Sequence, residues 1–199
     1  MSKSKAAQIE TDRFEIRLSG SGGQGLILAG VMLAQAMGVE DGKNVVQTQS
    51  YGPEARGGAS RADVVVSNDT IYYPKPMGLD MLLALTQEAC DTYFKDLKEG
   101  GMLIIDSHLV HQPPTPDCYA FPFTDLARSE IGHVMVANVI SLGAIVGLTK
   151  LCSKESVKKV VKSRAPVGTE EKNLKALELG FKLAKDIIKV RGVPAVVSL

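Results

Sequence analysis

Apolar and polar positions first alternate strictly at the segment Phe14-Glu15-Ile16-Arg17-Leu18, a period of two that predicts a strand. From Leu26 to Met37 the chain is almost wholly apolar and rich in small residues, and long enough for a helix. The run Ser19-Gly20-Ser21-Gly22-Gly23-Gln24-Gly25 lies between them and so occupies a strand-to-helix turn. Gly38 is expected to stop the helix and Asp41-Gly42 to turn the chain. Asn44–Ser50 is a second strand, and residues 51–60 form a long irregular loop. A third strand runs over Arg61–Ser67, and Ile71–Tyr73 reads as a short edge strand ended by Pro74 and Pro76. The compact run Met81–Leu85 predicts a central parallel strand. Thr86 then caps a helix over Gln87–Leu97, closed by Gly100-Gly101, and Met102–Asp106 is another buried strand. Cys118–Phe123 is a further strand, with Thr124 capping a short helix.

Beyond this point the pattern is helical. Val134–Leu151 reads as one apolar helix in which Gly143 and Gly147 let another element approach closely. Ser153 caps a helix with Val157, Val160 and Val161 on its buried side. Thr169 starts the last helix, where Leu174, Leu177, Phe181, Ala184 and Ile188 make one amphipathic face. Strands alternating with helices give an α/β fold, a Rossmann-like, mostly parallel sheet flanked by helices with a helical C-terminal third. Residues 1–12 read as a flexible tail and 13–199 as a single domain. In such a sheet the ligand crevice lies outside the carboxyl ends of the strands. The turn at Gly20–Gly25 and the loop from Tyr51 to Ser60 both leave such ends and should face each other there.

Gly20, Gly22 and Gly25 fit the G-x-G-x-x-G spacing in the context the motif needs. Glycine lets the backbone turn tightly and a phosphate come close, and the free N–H groups at the start of the following helix favour an anion. A tight turn with close helix–strand packing and no ligand would use the same glycines. The dinucleotide form of the motif also asks for an acidic residue at the end of the second strand. Asn44–Ser50 has none, which favours another phosphate-bearing ligand over NAD.

The 199 residues suit one domain, and 45% apolar with 23% charged residues is ordinary for a globular chain. The net charge of +1 gives no overall pull toward nucleic acid or membrane. Its distribution is uneven. Residues 150–199 hold 12 Lys/Arg against 5 Asp/Glu, residues 1–149 hold 11 against 17, and the basic end suits either solvent or an acidic partner. Cys90, Cys118 and Cys152 have no C-x-x-C spacing, so this chain alone is not expected to build a zinc or iron–sulfur site. Sparse cysteines and a polar N-terminal stretch without an apolar core lead to an expected cytoplasmic location. The uncharged stretch Val134–Thr149 is too short to span a bilayer.

Arg56, flanked by Ala55 and by Gly57-Gly58, offers a guanidinium for a phosphate or carboxylate, or for a subunit interface. Arg61 is a weaker candidate, and Ser50 and Tyr51 could hydrogen-bond a ligand. His108 and His111 lack further ligands for a metal site, and His133 reads as a cap or packing residue. Asp106 has no evident acid–base partner, and Asn138 in its apolar helix needs one, either backbone or ligand. The residues thus describe a phosphate-type binding site without a catalytic set.

The motifs Ser19–Gly25, Ser50-Tyr51-Gly52-Pro53-Glu54-Ala55-Arg56-Gly57-Gly58, Ala62–Ser67, Asn138–Gly147 and Lys172–Gly180 together resemble the gamma subunit of 2-oxoacid:ferredoxin oxidoreductases, with a likeness covering residues 14–190. The resemblance implies a fold like domain III of pyruvate-ferredoxin oxidoreductase. It also implies a role in a thiamine diphosphate-dependent oxidative decarboxylation that makes an acyl-CoA and reduces ferredoxin. Thiamine diphosphate and iron–sulfur clusters would sit on alpha, beta and, where present, ferredoxin-like delta subunits. This chain would hold coenzyme A phosphates and dock onto the catalytic subunits. Gly20, Gly22, Gly23, Gln24, Gly25, Ser50, Arg56, Gly57 and Gly58 are the binding residues so implied, with no catalytic or metal-binding residue. The wording of the second glycine motif is most like 2-oxoglutarate enzymes, and pyruvate enzymes share the pattern. A purely structural assembly subunit and a free-standing NAD(P)-binding protein are the alternatives.

Overall fold

The alternating stretch at Phe14–Leu18 lies inside a strand buried on both sides, in the middle of a six-stranded sheet. The structure is a computed structural model and describes residues 8–10, 12–50, 59–192, 194 and 196–198. In chain order the strands are β1 (Gln8–Glu10), β2 (Arg13–Ser21), β3 (Asn44–Ser50), β4 (Ala59–Ser67), β5 (Leu79–Ala84), β6 (Leu97–Asp106), β7 (Tyr119–Phe121) and β8 (Val196–Ser198). The large sheet has the order β3-β4-β2-β5-β6-β7, and β1 pairs separately, in parallel, with β8. β2, β5, β6 and β7 pair in parallel, while β4 is antiparallel to both β2 and β3. β4 is therefore the one strand of the six that opposes the others. Helix-flanked and mostly parallel, the sheet matches the expected α/β class.

One face of the sheet is covered by α1 (Leu26–Gln35) and by the helices of the C-terminal third. These are α4 (Ala137–Thr149), α5 (Lys154–Arg164) and α6 (Glu170–Arg191). Phe14, Ile16 and Leu18 of β2, Ala62, Val64 and Val66 of β4, and the buried sides of these helices form one apolar core. A smaller core lies on the other face, where Cys90 of α2 (Gln87–Tyr93) meets Leu82, Ala84, Leu103 and Ile105. A one-turn α3 (Phe123–Leu126) follows β7. Among the described residues no helix is long and apolar enough to cross a membrane.

Several boundaries move from their sequence expectations for local reasons. The first helix passes Gly38 as a wider π turn over Ala36–Glu40, and Gly42 with φ +73° turns the chain instead. Gly100-Gly101 lies within β6, near an irregularity in its register with β5, and the helix ends earlier in a 3-10 turn at Phe94–Asp96. Residues 71–73 form no strand. The apolar stretch from Val134 starts as a 3-10 turn before α4. Thr86 and Ser153 cap as expected, accepting from the Ala89 and Ser156 amides. Thr124 does not cap its helix and bonds to Asp106 instead. Gly143 and Gly147 let α6 approach: a Cβ on Gly147 would sit 2.5 Å from that of Ala184, and one on Gly143 would strike the Leu177 carbonyl. Gly180 on α6 completes this contact; a Cβ there would lie 2.7 Å from the Ala144 amide nitrogen.

Candidate functional site

The first glycine turn and the two strand ends that flank residues 51–58 lie at the same edge of the sheet, and the reversed β4 is the reason. β2 ends at Ser21, directly opposite Ala59, the first residue of β4. β3 ends at Ser50, opposite Arg61. The Ser60 hydroxyl reaches the carbonyl oxygens of Gly20 (3.4 Å) and Ser21 (3.3 Å), tying the start of β4 to the first glycine turn. Residues 51–58, with the expected ligands Arg56, Gly57 and Gly58, lie outside the described residues, but both anchors of that loop sit on this edge.

The first turn is closed by its own side chain. The Gln24 amide oxygen accepts from the Ser21 amide at 2.8 Å, and the Gln24 amide donates to the Ser21 carbonyl at 3.3 Å. Gly20 has no room for a side chain, because a Cβ would collide with that same Gln24 oxygen and lie 2.8 Å from Leu26 Cδ1. Gly22 and Gly23 form the open tip, with nothing within 4 Å of a Cβ at either, and Gly23 has φ +91°. Gly25 precedes α1 with φ +73° and no side-chain cap, and the first turn of α1 carries no acidic residue. The first turn of α1 thus carries no carboxylate of its own to compete for its free amides, which suits an anion. Asn138 finds its partner in the backbone: its Nδ2 donates to the Gly25 carbonyl at 2.9 Å, fixing the start of α1 to α4.

The remaining polar candidates are committed elsewhere. Asp106 accepts from the amides of His108 and Thr124 and from the Thr124 hydroxyl, which ties the end of β6 to α3. His108 Nδ1 lies 2.9 Å from Asp125, the His111 amide donates to Gln87, and no group of residues among those described could hold a metal ion. His133 is exposed and caps nothing with its side chain. All three cysteines are buried. Burial, assisted by Asp91, pushes the Cys90 thiol up to about 11; burial and Asp41 push Cys152 up to about 12; burial also raises Cys118. None is a nucleophile near neutral pH.

A polar cluster on the second face of the sheet escaped the sequence reading. Arg17 of β2 donates to Asp63 through Nε (2.6 Å) and Nη2 (3.1 Å), and to Asp96 through Nη1 (2.5 Å). Burial alone would lower the Arg17 pKa, but hydrogen bonds and charge from Asp63, then Asp96, outweigh it and raise it. Arg17 and Arg61 both lie over the Tyr93 ring, whose hydroxyl donates to the Ala59 carbonyl at 3.2 Å. A cavity of about 740 Å³ opens above this cluster. The alternation at Phe14–Leu18 was the available signal, since on a central strand the polar positions are buried too.

Comparison with known proteins agrees with this architecture. Residues 15–183 match the family model described as pyruvate ferredoxin/flavodoxin oxidoreductase. The chain is 50% identical over 179 residues to 2-oxoglutarate synthase subunit KorC of Methanocaldococcus jannaschii, covering 88% of this chain and 96% of that one. It is also 50% identical to a keto/oxoacid ferredoxin oxidoreductase gamma subunit of Geobacter sulfurreducens. That crystal structure superposes with a TM-score of 0.78 over 87% of this chain and 99% of the other. A 2-oxoglutarate:ferredoxin oxidoreductase of Magnetococcus marinus, solved with 2-oxoglutarate, coenzyme A and succinyl-CoA bound, shares the fold at 24% identity. Its TM-score is 0.81, covering 94% of this chain and 33% of that one.

Proposed function

The chain belongs to the pyruvate ferredoxin/flavodoxin oxidoreductase family, and from that premise we propose that it is the gamma subunit of a thiamine diphosphate-dependent 2-oxoacid:ferredoxin oxidoreductase, with 2-oxoglutarate as the 2-oxoacid. Its own task is to hold coenzyme A by its phosphates and to dock onto the alpha and beta subunits. Those subunits carry the thiamine diphosphate, and the iron–sulfur clusters lie on beta and, where present, a ferredoxin-like delta subunit. Coenzyme A, when bound, supplies the thiol that accepts the acyl group.

The observation that carries this reading is the register Ser21↔Ala59, which sets the end of the first glycine-bearing strand beside the residue that follows Gly57-Gly58 in the sequence. The chemistry of that edge fits phosphate. Gly22 and Gly23 have open space where a side chain would stand, room for an approaching oxygen, and the uncapped start of α1 adds its positive end. Arg56, on the loop anchored by Ser50 and Ala59, supplies the planar guanidinium that phosphate recognition favours. An NAD(P) reading is disfavoured by topology. In a dinucleotide fold the strand after the first helix lies parallel beside the first strand and ends in the ribose-binding acid. Here antiparallel β4 holds that place, and β3 has no acidic residue.

The chain's residues therefore bind and orient; among the described residues none is placed to move a proton. Calorimetric titration of the assembled complex with coenzyme A tests this. Arg56→Ala and Gly22→Val are each expected to weaken binding about tenfold or more, in line with the loss of a charge-assisted hydrogen bond. Unchanged affinity in both variants refutes the ligand role.

A further inference from the structure

We propose that the second face of the sheet, over β2 and β4, docks an acidic segment with apolar side chains from another subunit of the enzyme complex. The inference rests on reading this chain as one subunit of such a complex. Its first support is a strap, residues 73–78, held rigidly across that face. Arg13 donates to the carbonyls of Tyr73 (3.0 Å) and Lys75 (3.0 Å), and the buried Glu15 carboxylate accepts from the amides of Met77 (2.7 Å) and Gly78 (2.8 Å). Pro74 and Pro76 stiffen it further. A strap fixed at four backbone positions nevertheless holds apolar side chains in water: Tyr73 is 52% and Met77 75% exposed, and the neighbouring Tyr72 is 91% exposed. Rigid, exposed tyrosine and methionine are enriched in protein interfaces and need little further ordering on binding.

The second support is charge. The cavity of about 740 Å³ beside the strap is lined by Arg17, Arg61, Lys75, Lys95 and Lys98, against the acids Asp63 and Asp96. Both acids are consumed by Arg17. Lys98 is paired with Asp80 at 2.7 Å, and Arg61 lies 3.7 Å from Asp63. The side chains of Lys75 and Lys95 are exposed, and among the described residues their ammonium groups have no hydrogen bond or ion pair. Among the described residues the surplus at the rim is positive and calls for carboxylates. No buried side-chain atom among the described residues lacks a hydrogen-bond partner, so nothing in the floor waits for a small ligand. The uncommitted groups are the rim lysines and the strap's apolar side chains, which together fit a chain segment that is acidic and apolar.

The test uses the assembled complex. The chain is removed from it and titrated back, at low and at high salt, as wild type, as Lys75→Glu/Lys95→Glu and as Met77→Asp. Both variants are expected to rebind about tenfold or more weakly, and the charge reversal to flatten the salt dependence. Lys182→Glu/Lys185→Glu, on the exposed side of α6, is expected to rebind as wild type. A photo-crosslinking residue at Tyr72 is expected to capture a peptide of another subunit rich in Asp or Glu and apolar residues. Wild-type rebinding by the charge reversal overturns the proposal. So does capture of only a second copy of this chain, or perturbation of this face by inorganic pyrophosphate while assembly stays intact. If the wild-type chain rebinds no other subunit, the subunit reading falls as well, which separates that failure from a failure of the surface alone.

Discussion

Replacing Gly180 by alanine should destabilise the protein, the reverse of what its helix alone dictates. Gly180 is interior to α6, where alanine is favoured over glycine by about 1 kcal/mol. Tertiary packing opposes this. A Cβ at Gly180 would sit 2.7 Å from both the Ala144 nitrogen and the Gly143 Cα, and closer still to the Ile140 carbonyl oxygen. These are backbone atoms of α4, so no side-chain rotation relieves the clash and the two helices must separate. Overpacking of a filled core costs about 1–3 kcal/mol, with unyielding backbone at the upper end, so a net loss of about 2 kcal/mol is expected. Gly143→Ala should behave alike, because its Cβ would meet Leu177 and Gly180 on α6. The two positions face each other, so once one methyl has parted the helices the second has room. The double variant should therefore cost less than the sum of the two, by more than about 0.5 kcal/mol. Urea unfolding of the four proteins measures all of these terms. A gain in stability for Gly180→Ala, or strict additivity in the double variant, would refute the reasoning. Because α4 also carries Asn138, the singles should in addition weaken coenzyme A binding by the assembled complex.

Asp63→Ala leaves the buried Arg17 with Asp96 alone and should cost about 3 kcal/mol, as breaking a buried pair does. Asp96→Ala should cost clearly less, since the Asp96 side chain is 39% exposed and that of Asp63 only 7%; urea melts that show equal losses would contradict this. Asn138→Ala removes one hydrogen bond to Gly25 and is expected to lower stability by about 1 kcal/mol while loosening the glycine turn, seen as faster amide exchange at Gly22–Leu26. Raised thiol values predict that Cys90 and Cys152 resist a thiol reagent at pH 8 in the native protein and react in urea. Below the unfolded thiol pKa of about 9 both states hold these protons. Above it the unfolded chain releases them first, so stability should fall from about pH 9 toward 11 or 12, and a flat profile there would count against deep thiol burial.

The strand–turn–helix at the first glycine motif was legible because its signals are local: alternation before Gly20, an apolar run after Gly25, and glycine where φ is positive. The helical C-terminal third was equally plain, since the 3–4 spacing from Leu174 to Ile188 belongs to one element. What failed depended on partners distant in sequence. Nothing in Ala59–Ser67 says that it runs against its neighbours, because a strand buried on both sides reads alike in either direction. Arg17, Asp63 and Asp96 find each other only through that pairing. Asn138 could be seen to need a partner, but whether ligand or backbone required the approach of α4 to Gly25. Gly38 and Gly100-Gly101 looked like helix stops because glycine marks breaks without saying which kind.

The reversed strand also sets when in folding the proposed binding edge forms. The β2–β4 ladder joins Ser21 to Ala59 and Arg13 to Ser67, so its partners are far apart along the chain and closing it is a slow, non-local event. The first glycine turn does not have Ala59 and Ser60 beside it until that ladder has zipped to its last pair. Opening only that end would part Ser21 from Ala59 while the α4–α6 core stayed intact. A ligand bridging both segments would then act as a clasp on the sheet's last-closed end, slowing hydrogen exchange at Gly20–Ser21 and Ala59–Ser60 more than anywhere else in the protein.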